Sequence, residues 1–133
     1  MIIDGKNAIL GRLATHVAKE LMDGKDVTIV NSEKIIITGS PKEIMIKYRA
    51  RRKRGTPQHG PFFPKKPDGI VRRTIRGMIP KTKKGRAAFR KLRVYIEIPE
   101  ELKKSEITNI EVKAPKSDFI TLGELARSIG WTT

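Results

Sequence analysis

No cysteine occurs among the 133 residues. That excludes a disulfide framework, a thiol nucleophile and Cys-ligated zinc, and leaves an intracellular, reducing compartment as the simplest setting. No apolar run approaches the roughly 20 residues of a membrane helix. The start, MIIDGKNAILGR, lacks the basic region and long apolar stretch of a signal peptide. A cytoplasmic chain with no membrane partner is expected. Aromatic side chains make up only 5%, so stacking on single strands is not expected to be the main mode of any nucleic-acid binding.

Catalytic groups are equally sparse. His16 and His59 stand far apart with no HxxxH or HExxH pairing, so no metal site is expected. Ser32, Ser40, Ser105, Ser117 and Ser128 lack a GxSxG context. Gly5 and Gly11, six apart in the loop after the first strand, give neither GxGxxG nor GxxxxGK[ST]. They read as turn glycines and not as a phosphate cradle. The expectation is a protein that is not an enzyme, with no cofactor and no small-molecule substrate.

The most telling scarcity is negative charge in the middle of the chain. Residues 1–46 carry six basic and six acidic side chains, residues 47–93 carry eighteen and one, and residues 94–133 carry five and seven. The whole net charge of +15 therefore comes from the central segment. With Asp68 as its only carboxylate, no paired-acid hydrolase or two-metal nuclease site can be assembled there. An ordinary solvated face would intersperse acids among its bases.

What surrounds that segment reads as an α/β domain. Met1–Asp4 is a short β-branched run, Leu10, Leu13, Ala14, Val17, Ala18, Leu21 and Met22 recur at helical spacing, and Gly24 follows as terminator. Asp26–Val30 is a second strand, which makes a βαβ unit with a parallel pair. Ser40-Pro41-Lys42-Glu43 is a capping box opening a helix through Ile44, Met45 and Tyr48 to Arg54. Thr56–Gly69, with four prolines, is an irregular arm. Asp68 is expected to cap a helix that buries the face of Ile70, Val71, Thr74, Ile75 and Met78 and turns Arg72, Arg73 and Arg76 outward. Pro80 ends it, a basic loop follows to Gly85, and a short helix through Ala88, Phe89 and Leu92 comes next. Leu92–Ile98 alternates as a strand. Thr121-Leu122-Gly123-Glu124 opens a last helix. One domain, residues 1–133, with a basic insert at about 47–93, is the organisation expected.

The cations of the insert lie on three consecutive pieces. Arg49, Arg51, Arg52, Lys53 and Arg54 crowd the end of one helix, far more charge than a helix C-terminus favours at about 1 kcal/mol per cation. Lys65, Lys66 and His59 belong to the arm, where His59 is a candidate to stack on a base or bond a phosphate. Phe62 and Phe63 there either stack or anchor the arm. Arg72, Arg73 and Arg76 occupy the next helix, followed by Lys81, Lys83, Lys84, Arg86 and Arg90. Such a surface neutralises phosphates. Duplex DNA and folded RNA both satisfy the electrostatics, so an architectural DNA-binding protein is the alternative. The proline-rich arm favours folded RNA, whose crevices it suits better than a uniform groove.

Several stretches carry a family resemblance: DGKNAILGRLAT, IVNSEKIIITG, IRGMIPKTKKGRAAFRKLRVY and TLGELARSIGW. Over nearly its whole length the chain resembles the universal large-subunit ribosomal protein L-thirteen family, in its archaeal and eukaryotic branch. It departs from bacterial members at Glu97, which follows Ile96 where those often carry a small or amide residue. The resemblance implies a three-layer α/β/α sandwich around a four-stranded, mostly parallel sheet. It also implies a structural role in the large ribosomal subunit, binding to large-subunit rRNA that supports subunit assembly, and neighbouring large-subunit ribosomal proteins as partners. Arg76, Lys81, Lys83, Lys84 and Arg86 would be rRNA contacts, with Met78, Ile79 and Pro80 fixing their loop. Some members of the family also bind messenger RNA, which adds mRNA to the partners implied.

Overall fold

The computed structural model describes residues 1–53, 65–103, 105, 107–109 and 118–131. Strand β1 (Ile2–Asp4) and strand β2 (Val27–Val30) lie parallel, with Ile3 opposite Ile29. Helix α1 (Leu10–Met22) connects them. Its buried residues, Leu10, Leu13, Ala14, Val17, Ala18 and Leu21, form one stripe that lies in the same core as Ile3, Val27 and Ile29. Gly24, at φ +90°, terminates the turn after it. The βαβ unit is thus as its periodicity predicts.

The turn into α1 shows why Gly5 is a structural residue. A Cβ there would stand 2.7 Å from Ile35 Cγ1 and 3.1 Å from the Val30 carbonyl. The amides of the loop are also engaged. Gly5 N donates to Val30 O, Lys6 N to Asp4 Oδ1, Asn7 N to Lys34 O and Ala8 N to Gly5 O. The amides of residues 5–8 are therefore used within the fold.

Strand β3 (Ile36–Thr38) leaves this sheet. It pairs antiparallel with β6 (Phe119–Thr121), Ile37 opposite Ile120. Helix α2 (Pro41–Lys53) follows, then α3 (Pro67–Met78) and α4 (Lys83–Phe89). Strand β4 (Leu92–Val94) adds to β2, and β5 (Thr108–Asn109) adds to β1 on the other side. The main sheet is therefore four-stranded and all parallel, in the order β4-β2-β1-β5. Helix α5 (Leu122–Ser128) closes the chain, capped by Thr121 Oγ1, which accepts from Glu124 N at 3.3 Å. The α/β class and the mostly parallel sheet are as expected, and the antiparallel pair is additional.

Three local expectations need correction. Asp68 does not cap α3. Lys66 is the N-cap residue, Pro67 takes the first helical position, and Asp68 sits inside the first turn. Helix α4 begins at Lys83, two residues before the expected end of the loop, because Thr82 Oγ1 caps it by accepting from Gly85 N at 3.1 Å. Strand β4 stops at Val94 although the alternation runs to Ile98. Its partner β2 ends at Val30 and Asn31 turns through φ +56°, so pairing lasts one residue more, with Tyr95 N donating to Ile29 O and Tyr95 O accepting from Ser32 N, and the regular ladder goes no further.

The basic segment is not an appendage to this fold. Ile70, Val71 and Ile75 of α3 are 0–1% exposed and belong to the same hydrophobic cluster as α1 and the sheet. Ile79, Ala88 and Leu92 extend that cluster beyond α3.

Candidate nucleic-acid interface

Helix α3 places its cations by burying its opposite side. With Ile70, Val71 and Ile75 in the core, Arg73 and Arg76 emerge exposed. Arg72 does not. It is half-buried, donates from Nη1 to Leu92 O at 3.2 Å, and stacks its guanidinium 4.9 Å from the Phe89 ring centre. That pairing joins α3 to β4 and α4, so the structure gives Arg72 a role within the fold and sets it apart from the exposed cations.

The turn from α3 to α4 is held by a close backbone approach. Ile79 is 6% exposed and pins the turn to the core. A Cβ at Gly85 would lie 1.9 Å from the Pro80 carbonyl oxygen, so only glycine lets the first turn of α4 fold back against Pro80. Met78 points outward, 44% exposed, its sulfur accepting from Thr15 Oγ1 at 3.7 Å. Of the three residues assigned to this loop, Ile79 is buried in the core, Pro80 meets Gly85 through its carbonyl, and Met78 contacts Thr15 of α1.

The result is a cleft of about 410 Å³ lined by Arg76, Ile79, Pro80, Lys81, Gly85, Arg86, Phe89 and Arg90. All four of its cations are exposed: Arg76 on α3, Arg86 on α4, Lys81 in the turn between them and Arg90 just after α4. Lys83 and Lys84 are exposed on α4 outside this lining. Between residues 65 and 93 the single carboxylate is that of Asp68, half-buried in α3, with Oδ1 buried and unpartnered among the described residues. The ion pair of Lys25 with Glu20, 2.7 Å, lies outside the basic segment. There the Lys25 hydrogen bond holds Glu20 below its ordinary pKa, and Glu20 in turn raises that of Lys25. A surface with this excess of cations attracts polyanions and discriminates little among their sequences.

Helix α2 carries the other cluster. Tyr48 is its anchor, 9% exposed, with burial raising its phenol pKa and Arg51, 5.2 Å over the ring, opposing that rise. Arg49 is exposed and donates from Nε to Ser128 O at 3.3 Å. Arg52 and Lys53 continue the helix. Arg54 and His59, and with them Phe62 and Phe63, lie outside the described residues. Lys65 and Lys66 are exposed where the chain re-enters α3, Lys66 as its N-cap. Lys47 joins this cluster although the crowded run from Arg49 to Arg54 does not include it. It is exposed one turn before Arg51, and that i, i+4 spacing is the signal in the sequence that points to it. His16 is exposed on α1, and no three His, Asp or Glu side chains converge on a metal position among the described residues. No described helix is long and apolar enough to cross a membrane.

Known proteins resemble this chain throughout. The model of the family described as Ribosomal protein L13 matches residues 1–101. The Large ribosomal subunit protein uL13 of Methanosarcina barkeri is 44% identical over 135 residues, covering 97% of this chain and 96% of the relative. That of Archaeoglobus fulgidus is 41% identical over 136 residues, 98% and 87% of the two chains. That of Thermoplasma acidophilum is 39% identical over 132 residues, 97% of each. A family match across most of the chain, and relatives of this identity along almost all of it, mean that the chain belongs to the Ribosomal protein L13 family.

Proposed function

We propose that this protein is a structural constituent of the large ribosomal subunit, in the cytoplasm, that binds large-subunit rRNA through its basic segment and supports subunit assembly. The family is one of structural proteins and not of enzymes. The large-subunit partners, rRNA and neighbouring ribosomal proteins, are supported by the names of the relatives. Residues 1–133 act as one domain, and segment 47–93 supplies the charge. The observation that carries the reading is the cleft of Arg76, Lys81, Arg86 and Arg90, four exposed cations on α3, α4 and the turns that adjoin them. Fixed cations of this kind favour a folded RNA of defined shape over a flexible strand. A messenger RNA partner has no support from the geometry or the relatives, and none is proposed.

The test is a comparison of wild type with a variant carrying R76Q, K81Q, R86Q and R90Q, titrated with large-subunit rRNA across salt concentrations. Each cation that neutralises a phosphate should, once replaced, flatten the slope of log affinity against log salt by about 0.7–0.9. The thermal midpoint should stay near wild type because the four side chains are exposed. An unchanged slope would sink the assignment of the cleft. Competition by duplex DNA as effective as that by rRNA would transfer the reading to an architectural DNA-binding protein.

A further inference from the structure

A second groove, of about 480 Å³, opens between the first turn of α1, strand β3 and the facing sides of α2 and α3. Its floor is apolar, with Leu10 and Tyr48 buried and Ile9 and Ile37 half-buried. Its rim is cationic, with Lys47 and Arg73 exposed and Arg51 lying over the Tyr48 ring. Lys47 and Arg73 come from different helices, so the groove exists only in the folded protein.

Thr38, Thr74 and two glycines complete the lining, Gly11 in α1 and Gly77 in α3. Gly5 and Gly85 are explained by close backbone or side-chain neighbours. Gly11 and Gly77 are not: both have ordinary helical backbone, and a Cβ at either would meet nothing within 4 Å. Glycine is a poor helix former compared with alanine, so the fold alone does not call for it at either place. Both openings face the same groove, which is the pattern of a surface that something outside the chain approaches closely.

We propose that this groove receives a single unstacked nucleotide of the RNA, its base on the apolar floor and its phosphate on the Lys47, Arg51 and Arg73 rim. This rests on the rRNA-binding reading above. A paired duplex has no use for an apolar floor, because its bases are stacked inside, whereas an extruded base gains by burial against Tyr48 and its neighbours. The volume suits a ligand of nucleotide size. The glycines leave room for the sugar and backbone against α1 and α3.

The test uses the full chain with three probes: large-subunit rRNA, an RNA hairpin with one bulged 2-aminopurine and its fully paired counterpart, and free AMP. Gly77→Leu and Gly11→Leu fill the groove without removing a charge. Each should weaken rRNA binding on the order of tenfold, the weight of one buried base, with the thermal midpoint at or above wild type. The bulged hairpin should bind more tightly than the paired one, with a fluorescence change that both leucine variants abolish. Wild-type affinity in both folded leucine variants would overturn the proposal. If the R76Q, K81Q, R86Q, R90Q variant still binds rRNA weakly in that case, the RNA reading survives without the groove. Should a leucine variant fail to fold, K47Q with R51Q serves instead, and retention of the bulge preference in that pair overturns the proposal. Displacement of the bulged hairpin by millimolar AMP as complete as by the hairpin itself would assign the groove to a free nucleotide and overturn the RNA source.

Discussion

Helices α2 and α3 both present positive charge, and they are held in opposite ways. Helix α2 has six basic residues in 13 and rests on Tyr48, with Ile44 and Met45 half-buried beside it. Helix α3 has three in 12 and buries Pro67, Ile70, Val71 and Ile75. The difference teaches that charge and placement trade against each other along this segment. A helix that commits one face to the core can offer few cations, but their positions are settled in the free protein, so less order would have to be imposed on binding a polyanion. A helix fastened by one buried aromatic, two half-buried side chains and the Arg49 bond to Ser128 O can carry more, and it opens locally at lower cost.

The largest expected effect breaks the comparison at its rigid side. Ile75→Asp puts a carboxylate where the side chain is 0% exposed, at a cost of about 4 kcal/mol or more. Global unfolding, followed by circular dichroism, should be seen near room temperature. Tyr48→Ala strikes the other helix, and about 3 kcal/mol is expected for an aromatic truncated to alanine. Its signature should differ: proteolysis and hydrogen exchange should localise the loss to α2 while α1 and α3 stay protected. If both substitutions unfold the whole protein alike, the two helices are not held differently.

Gly85→Ala should cost about 2 kcal/mol by overpacking, since its Cβ cannot coexist with the Pro80 carbonyl at 1.9 Å. It should also weaken rRNA binding without removing a charge, because it disperses the cleft cations. The smallest effect is one of pH. Burial holds the Tyr48 phenol above its ordinary pKa, so the folded state favours the protonated form. Its contribution is fully present below about pH 10, the pKa of an unfolded tyrosine, and is lost as pH rises through the folded value. Denaturation at several pH values should show wild type and Tyr48→Phe running parallel below pH 10 and wild type falling away above it.

Sequence alone revealed the elements with a period long enough to read. Helix α1 spans a full buried stripe, and β1 and β2 are short but β-branched and flank it. Strands β5 and β6 have two and three residues, too few for any alternation, and they exist because β1 and β3 offer them an edge. The end of β4 was hidden for a similar reason, since it depends on the turn at Asn31, just past the end of β2. Charge counting marked out the basic segment but could not sort its members. Arg72, Arg73 and Arg76 look alike on a helical wheel, and only the position of Leu92 and Phe89 makes Arg72 different. The groove beside α2 was invisible for the same reason, being built from four elements distant in the chain.

That difference at Arg72 has a bearing on solubility. Strand β4 forms one margin of the parallel sheet, and an uncovered margin is a template on which a second chain can add. The outward carbonyl of Leu92 is already occupied by the Arg72 guanidinium, whose charge also makes the margin unwelcoming to another strand. The fold thereby carries its own guard against edge-to-edge aggregation at this margin, and Arg72→Leu should precipitate at concentrations where the wild type stays dispersed.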